Sequence, residues 1–343
     1  MFDHVAEALA RPDLIRLEPR LCCLRFETMK VVSALAAVRH LLDQGRIRPG
    51  DTLLDSSSGI YAYALALACH RYGLRCHIVG SATVDATLRA QLAVLGVRLE
   101  QMAPTANLKL DQSRRVRRVE EILRDHPDHH WMRQYHDEVH YLGYRAVAER
   151  LHAELGDATP LTLVGGVGSG ASTGALATYL RERAPDTELV GVQPFGSVTF
   201  GSAHVADPEI IIAGIGSSIP FGNVRHALYD TLHFTAFEAA LAGSVDLLRR
   251  HAVFAGLSTG AGYLAARWER DRDPRRTVVF VAADTGHRYT DAVFARHREA
   301  APLARLAPHQ VTDQDDLALP WSRMPWRRRP AGQGLAKSRR TGR

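Results

Sequence analysis

Short apolar runs alternate with amphipathic helical stretches along most of this chain, and that alternation limits the fold more than any other feature. The runs at residues 52–55, 76–79, 161–164, 189–192 and 277–282 are short and rich in the branched residues that suit strands. Between them the spacing of apolar residues predicts helices over 31–43, 87–95, 113–125, 144–155 and 237–251. Strands that alternate with helices pack as parallel sheets covered on both faces. Gly and Pro mark the joins, as at Arg48-Pro49-Gly50 and Gly222-Asn223. The expected class is α/β, and 343 residues suit two domains.

Composition narrows the setting. No apolar run reaches the length that spans a bilayer, and Asp3, His4 and Glu7 stand where a secretory signal would be apolar. Cys22, Cys23, Cys69 and Cys76 have neither zinc-site spacing nor the numbers of a disulfide framework. Cys22 and Cys23 are read as thiols lying along a strand, and the cytoplasm is the expected compartment. The net charge of +6 comes from one end. Residues 322–343 hold eight Arg or Lys and no acid, so the remainder carries −2. Residues 311–343 are expected to form a basic, disordered tail, read as solvated rather than as a nucleic-acid arm.

Turns that follow strands and open helices matter because ligands bind at the carboxyl ends of parallel strands. After the run at 161–164 stands Gly165-Gly166-Val167-Gly168-Ser169-Gly170-Ala171-Ser172-Thr173-Gly174. Glycine permits a tight turn, and a helix N-terminus with nearby hydroxyls makes an anion cradle. No Lys-Ser or Lys-Thr pair ends the loop, so it is not a P-loop. A second turn, Asp55-Ser56-Ser57-Ser58-Gly59, is equally readable as a helix cap or as a holder for a substrate carboxylate. A third is Gly256-Leu257-Ser258-Thr259-Gly260-Ala261, and a fourth Asp284-Thr285-Gly286-His287-Arg288-Tyr289.

In this order, over residues 20–297, these motifs resemble the fold-type II pyridoxal-phosphate (PLP) enzymes, the group of cysteine synthase and cystathionine β-synthase. Thr28-Met29-Lys30 is similar to the family's Ser-x-Lys, and Gly45 to Gly50 to its Gly-x-Leu-x-Pro-Gly turn. Ser57-Ser58-Gly59-Ile60-Tyr61-Ala62 stands where the family has its Thr-Ser-Gly-Asn-Thr-Gly substrate loop. Val190-Gly191-Val192-Gln193-Pro194 and Gly214-Ile215-Gly216 also have counterparts. The resemblance implies the tryptophan synthase β-like fold, with two doubly wound parallel-sheet domains. A larger cofactor domain would come from 1–44 and 144–310, and a smaller, mobile one from 45–143.

The resemblance also implies site roles. Lys30 would form the Schiff base with PLP and carry the substrate Cα proton. Gly168, Ser169, Gly170, Ala171 and Ser172 would hold the phosphate, and Ser258 would bond the ring nitrogen. Ser57, Ser58, Gly59, Ile60, Tyr61 and Gln134 would bind a small amino-acid substrate. A Ser at the ring nitrogen favours loss of a β-leaving group, giving an aminoacrylate that a nucleophile then attacks. The expected reaction is β-replacement on an O-activated serine, giving a cysteine-like or diaminopropionate-like amino acid, in a homodimer. Elimination to a keto acid and ammonia, and a non-catalytic regulatory role, are the alternatives.

The pattern departs from the family in two places. Ile60 replaces the loop Asn and offers no hydrogen bond, which points to a specialised substrate, with Tyr61 as a replacement donor or a packed aromatic. Leu24-Arg25-Phe26-Glu27 replace the residues before the lysine, where Arg25 is a surface Arg or an anion binder. His136 and His140 have the i,i+4 spacing of metal ligands, but the neighbouring Gln134 fits the family's carboxylate binder, and no metal is expected.

Overall fold

A computed structural model describes residues 1–103, 108–156, 160–209 and 214–329. In chain order, helix α1 (Val5–Leu9) leads to the hairpin strands β1 (Asp13–Glu18) and β2 (Leu21–Arg25), then to α2 (Lys30–Asp43). Next come β3 (Thr52–Ser56), α3 (Ile60–Tyr72), β4 (Arg75–Gly80), α4 (Ala86–Val94), β5 (Arg98–Gln101), α5 (Leu108–Asp125) and β6 (His130–Trp131). The chain continues through α6 (Tyr144–Leu155), β7 (Leu161–Gly166), α7 (Ala171–Arg181), β8 (Glu188–Pro194) and β9 (Thr231–Thr235). It closes with α8 (Phe237–His251), α9 (Leu257–Arg272), β10 (Thr277–Ala282), β11 (His309–Gln310) and β12 (Trp321–Pro325).

These strands make two sheets. The larger runs β1-β2-β10-β7-β8-β9-β12-β11, and the smaller runs β5-β4-β3-β6. The smaller sheet is parallel throughout, as is the larger from β2 to β9. The pleat explains why strands of the larger sheet read as unbroken apolar runs. In β10, Val279 and Val281 enter the cluster with Tyr144, Leu151 and Leu176 of α6 and α7. Val278, Phe280 and Ala282 enter the opposite cluster with Leu241, Tyr263 and Leu264 of α8 and α9. Successive side chains thus meet helices on opposite faces, and both must be apolar. Around the smaller sheet, Leu53 and Ile78 pack with the apolar face of α3.

Helix α2 belongs to both cores. Val31, Ala34, Val38 and Leu41 face the smaller sheet's cluster, whereas Val32, with Met29 at the N-cap, faces the larger one. The helix that opens on Lys30 therefore rests on both layers. Cys22 and Cys23 are free and buried on β2. Among the described residues no helix is long and apolar enough to cross a membrane.

The expectation of a disordered tail from residue 311 fails over its first part. Strand β12 pairs antiparallel with β9, from Trp321 against Thr235 to Pro325 against Thr231. Two apolar anchors outweigh the surrounding charge, since Trp321 is 1% and Met324 0% exposed. Trp321 Nε1 donates to His233 Nδ1 at 2.9 Å, and His233 Nε2 lies 2.9 Å from Glu269 Oε1. Arg323 Nε donates to the same carboxylate at 2.6 Å, so a residue read as solvated closes a buried network. The rest of that tail, 330–343, lies outside the described residues.

Candidate active site

Lys30 is the first residue of α2, just past the short segment that follows the C-terminal end of β2 at Arg25. An antiparallel bridge between Thr28 and Asp284, and a bond from Met29 N to Ala283 O at 2.8 Å, fix its approach. Its ammonium sits in a cleft between the sheets, and burial pushes its pKa down to about 8. Nζ donates to Ser169 Oγ at 3.0 Å. The amine thus lies at the lip of the glycine-rich turn.

That turn leaves β7 and opens α7. Gly170 precedes the helix with φ +80°, a left-handed value that glycine alone adopts freely, and supplies no side-chain cap. A Cβ at Gly170 would stand 2.6 Å from Asn223 O, and one at Gly168 would stand 2.2 Å from Gly214 O. Only bare backbone fits between these walls. Gly168, Ser169 and Ser172 line the cleft; Ala171 is buried in the first turn of α7. Amides of an uncapped helix start, with two hydroxyls beside them, form a cradle for an anion.

Across the cleft, Ser258 faces it from the first turn of α9. Asp284 also lines it, with Oδ1 unpartnered and the carboxyl pushed up to about 7 by burial. A buried low-pKa amine, an anion cradle of backbone amides and a hydroxyl on the far wall fit a phosphate-bearing aldehyde such as PLP. When bound, that cofactor draws electrons from the Cα of an attached amino acid and so labilises its bonds.

The substrate loop is placed differently from the expectation. Of its residues only Gly59 and Ile60 line the cleft. Ser57 Oγ accepts from Ala62 N at 3.1 Å inside the first turn of α3, so this hydroxyl caps the helix. Ser58 Oγ accepts from Ser81 N at 2.7 Å. Tyr61 is 3% exposed, sits in the smaller core, and meets His140 edge-on at a centroid distance of 5.7 Å. Its ring is packed in that core, and its hydroxyl is buried without a partner, off the cleft lining. Gln134 donates through Nε2 to Ser56 O at 2.9 Å and through its backbone N to Asp55 Oδ2 at 3.1 Å. It braces the loop from behind.

The sequence reading gave no role of their own to two residues here. Asp55, 1% exposed, accepts from Ser56 N, Gln134 N and Trp131 Nε1, and burial pushes its carboxyl up to about 7. A buried Asp at the end of a strand was a readable signal. Arg115, 6% exposed, donates through Nη1 to Ser56 Oγ at 3.1 Å. Its neighbours Arg114, Arg117 and Arg118 made the whole segment look solvated. Arg25 pairs with Asp13 at 2.8 Å on the surface. His136 and His140 are engaged separately: His136 Nδ1 accepts from Gly222 N, and His140 Nε2 meets Met132 O at 2.8 Å. A different group, His126, Asp128 and His129, brings ligand atoms within 4.8 Å of one another, with His126 and Asp128 exposed.

Known proteins match this arrangement. The family model described as pyridoxal-phosphate dependent enzyme matches residues 21–284. The chain is 32% identical to an N-(2-amino-2-carboxyethyl)-L-glutamate synthase of Cupriavidus metallidurans, over 79% of this chain and 78% of the relative. It is 23% identical to a cysteine synthase of Staphylococcus aureus, over 75% of this chain and 81% of the relative. Among solved structures, an O-ureido-L-serine synthase superposes with a TM-score of 0.75 at 21% identity, covering 85% of this chain and 94% of the other. With the lysine, the glycine cradle and the order of motifs in place, the chain belongs to the family of pyridoxal-phosphate dependent enzymes.

Proposed function

We propose that this enzyme carries out β-replacement on an O-activated serine, releasing the activating group and joining a nucleophile to Cβ. The product is a cysteine-like or diaminopropionate-like amino acid. The observation that carries the reading is the 3.0 Å contact between Lys30 Nζ and Ser169 Oγ, with Ser258 and Ile60 on the walls of the same cleft. Lys30 is placed to take and return the proton at the substrate Cα, and its lowered pKa leaves a usable fraction of neutral amine near pH 7. Gly168 to Ser172 would hold the cofactor phosphate with neutral donors and a helix start. Ser258 would meet the ring nitrogen of the bound cofactor without giving it a full proton, which suits departure of a β-leaving group.

Relatives named for synthesis of an N-substituted 2-amino-2-carboxyethyl product and of cysteine support the same reaction class. Ile60 speaks for a specialised partner, because an apolar wall stands where an ordinary cysteine synthase offers an amide. We further infer that the layer around the smaller sheet closes over bound substrate and excludes water. The working form is read as a homodimer in the cytoplasm, which suits four free, buried thiols.

The test supplies purified enzyme with O-acetylserine or O-phosphoserine and a panel of sulfur and nitrogen nucleophiles. A substituted amino acid whose identity follows the nucleophile is the expected result. Pyruvate formed at the same rate whatever nucleophile is present would replace this reading with an eliminating lyase.

A further inference from the structure

A buried cation without a counter-charge stands beside the cleft. Arg115 of α5 is 6% exposed, and among the described residues its only hydrogen bond is the one from Nη1 to Ser56 Oγ. Its Nε is buried without a partner, and no carboxylate pairs with it among the described residues. A guanidinium taken out of water and left unpaired is strongly disfavoured, and folded chains keep one where an anion completes it. A hydroxyl does not neutralise a charge.

Its position says what the anion belongs to. Gln112 lies three residues before Arg115, hence on the same face of α5. Gln112 Oε1 accepts from Ser218 N at 3.0 Å, in the segment that continues from the cleft-lining Gly214 and Ile215. Ser56 begins the segment that continues to the cleft-lining Gly59 and Ile60. One helix face thus touches the two segments that run on into the cleft walls, just behind the lining residues, with the cation at the smaller-sheet side. Tyr135 lies within the field of Arg115; burial raises its hydroxyl's pKa and the cation offsets part of that rise. Arg288, which also lines the cleft, is committed to Asp85 at 2.8 Å.

We propose that Arg115 is the anion receptor of the substrate cleft, selecting a substrate that carries a phosphate or a second carboxylate. The inference takes the β-replacement reading as its setting and names the substrate class for it. Two sources share this chemistry: a phosphate on the activated serine, or a side-chain carboxylate on the incoming nucleophile. In either case the guanidinium fork accepts two anionic oxygens in place of one hydroxyl.

The experiment compares wild-type holoenzyme with Arg115→Gln and Arg115→Lys on paired substrates. O-phosphoserine against O-acetylserine tests the donor, and L-glutamate against L-glutamine tests the nucleophile. In one of the two pairs, the ratio of kcat/KM for the anionic over the neutral member falls about tenfold to a hundredfold in Arg115→Gln. Arg115→Lys, which keeps the charge and loses the fork, restores part of that ratio. A purely structural Arg115 lowers all four reactions together and leaves both ratios unchanged, which overturns the proposal. Calorimetry decides the point without turnover. Inorganic phosphate or L-glutamate binds wild-type holoenzyme and binds Arg115→Gln at least about tenfold more weakly; equal binding, or binding of neither, overturns the proposal. If the wild type binds one of these anions but turns over no pair, the reaction reading fails while the receptor stands.

Discussion

Two turns of the same design do different work in this protein. The turn from β7 to α7 and the turn from β3 to α3 both leave the carboxyl end of a parallel strand through small residues and open a helix. In the first, backbone approach fixes the shape, and Ser169 and Ser172 line the cleft, Ser169 Oγ accepting from the site's own Lys30 Nζ and from Ala171 N. In the second, every hydroxyl is engaged within the protein: Ser56 with Arg115, Ser57 with Ala62 N, Ser58 with Ser81 N. Only Gly59 and Ile60 are left to face the ligand. A Ser-rich turn before a helix therefore marks a place where a ligand can bind, while the surrounding packing decides whether its hydroxyls line the cleft or turn into the protein.

The largest effect tests the cradle side of that contrast. Lys30→Ala removes the amine that Ser169 positions, and turnover falls by about a thousandfold or more while the fold persists. The check is the steady-state rate together with circular dichroism; a variant that keeps a tenth of the activity breaks the assignment.

Glycine substitutions sharpen the comparison next. Gly170→Ala must hold a left-handed φ and push Cβ against Asn223 O at 2.6 Å, costing about 1–3 kcal/mol and weakening cofactor retention. Gly59→Ala meets only Arg288 Nη1 at 3.3 Å, the far end of a flexible side chain, so its cost stays well below 1 kcal/mol. Thermal melts and cofactor retention on gel filtration measure both. Equal losses at the two positions would mean that the turns are built alike after all.

Ile60→Asn probes the other turn. An amide placed among apolar substrate atoms is left unpaired, and the native reaction slows by about tenfold. A variant that becomes an efficient cysteine synthase at no cost to the native reaction would show that the pocket was never rebuilt around Ile60. Ser57→Ala is the smallest change expected, about 1 kcal/mol of stability from the lost helix cap, with no change in cofactor binding. Weaker cofactor binding in that variant would contradict the structural role.

The pH dependence separates the turns as well. Burial lowers the Lys30 pKa to about 8 from 10.5, so the folded state binds its proton more weakly than the unfolded chain. Before cofactor is added, this group opposes folding below pH 8, and the penalty is relieved as pH rises from about 8 toward 10.5. Capture of the cofactor aldehyde needs the neutral amine, so its rate climbs through a midpoint near pH 8. A midpoint near 10.5 would place Lys30 in water.

Parts of this were open to reading from sequence for plain physical reasons. Parallel strands buried on both faces leave unbroken apolar runs, so β3, β4, β7, β8 and β10 were visible. The strand β9, short and preceded by an irregular segment, was not marked, and β12 was hidden by the arginines around Trp321 and Met324. At the site, Lys30 and the glycine turn stood out as motifs after strands, and the structure brings them together at one cleft. The protein partners of Ser57 and Gln134 were not legible, because each depends on which neighbour reaches its polar atom first. Arg115 was concealed by its own helix, where one buried Arg and several solvated ones share a single pattern.

The central claim is that Lys30 forms the covalent link to pyridoxal phosphate in the cleft beneath the glycine cradle. Borohydride reduction of the purified protein, followed by proteolysis and mass spectrometry, tests it in one step. A yellow protein should bleach, and the reduced cofactor should be found on the peptide that contains Lys30. A protein that stays colourless with added cofactor, or a reduced adduct on any other lysine, would contradict the account.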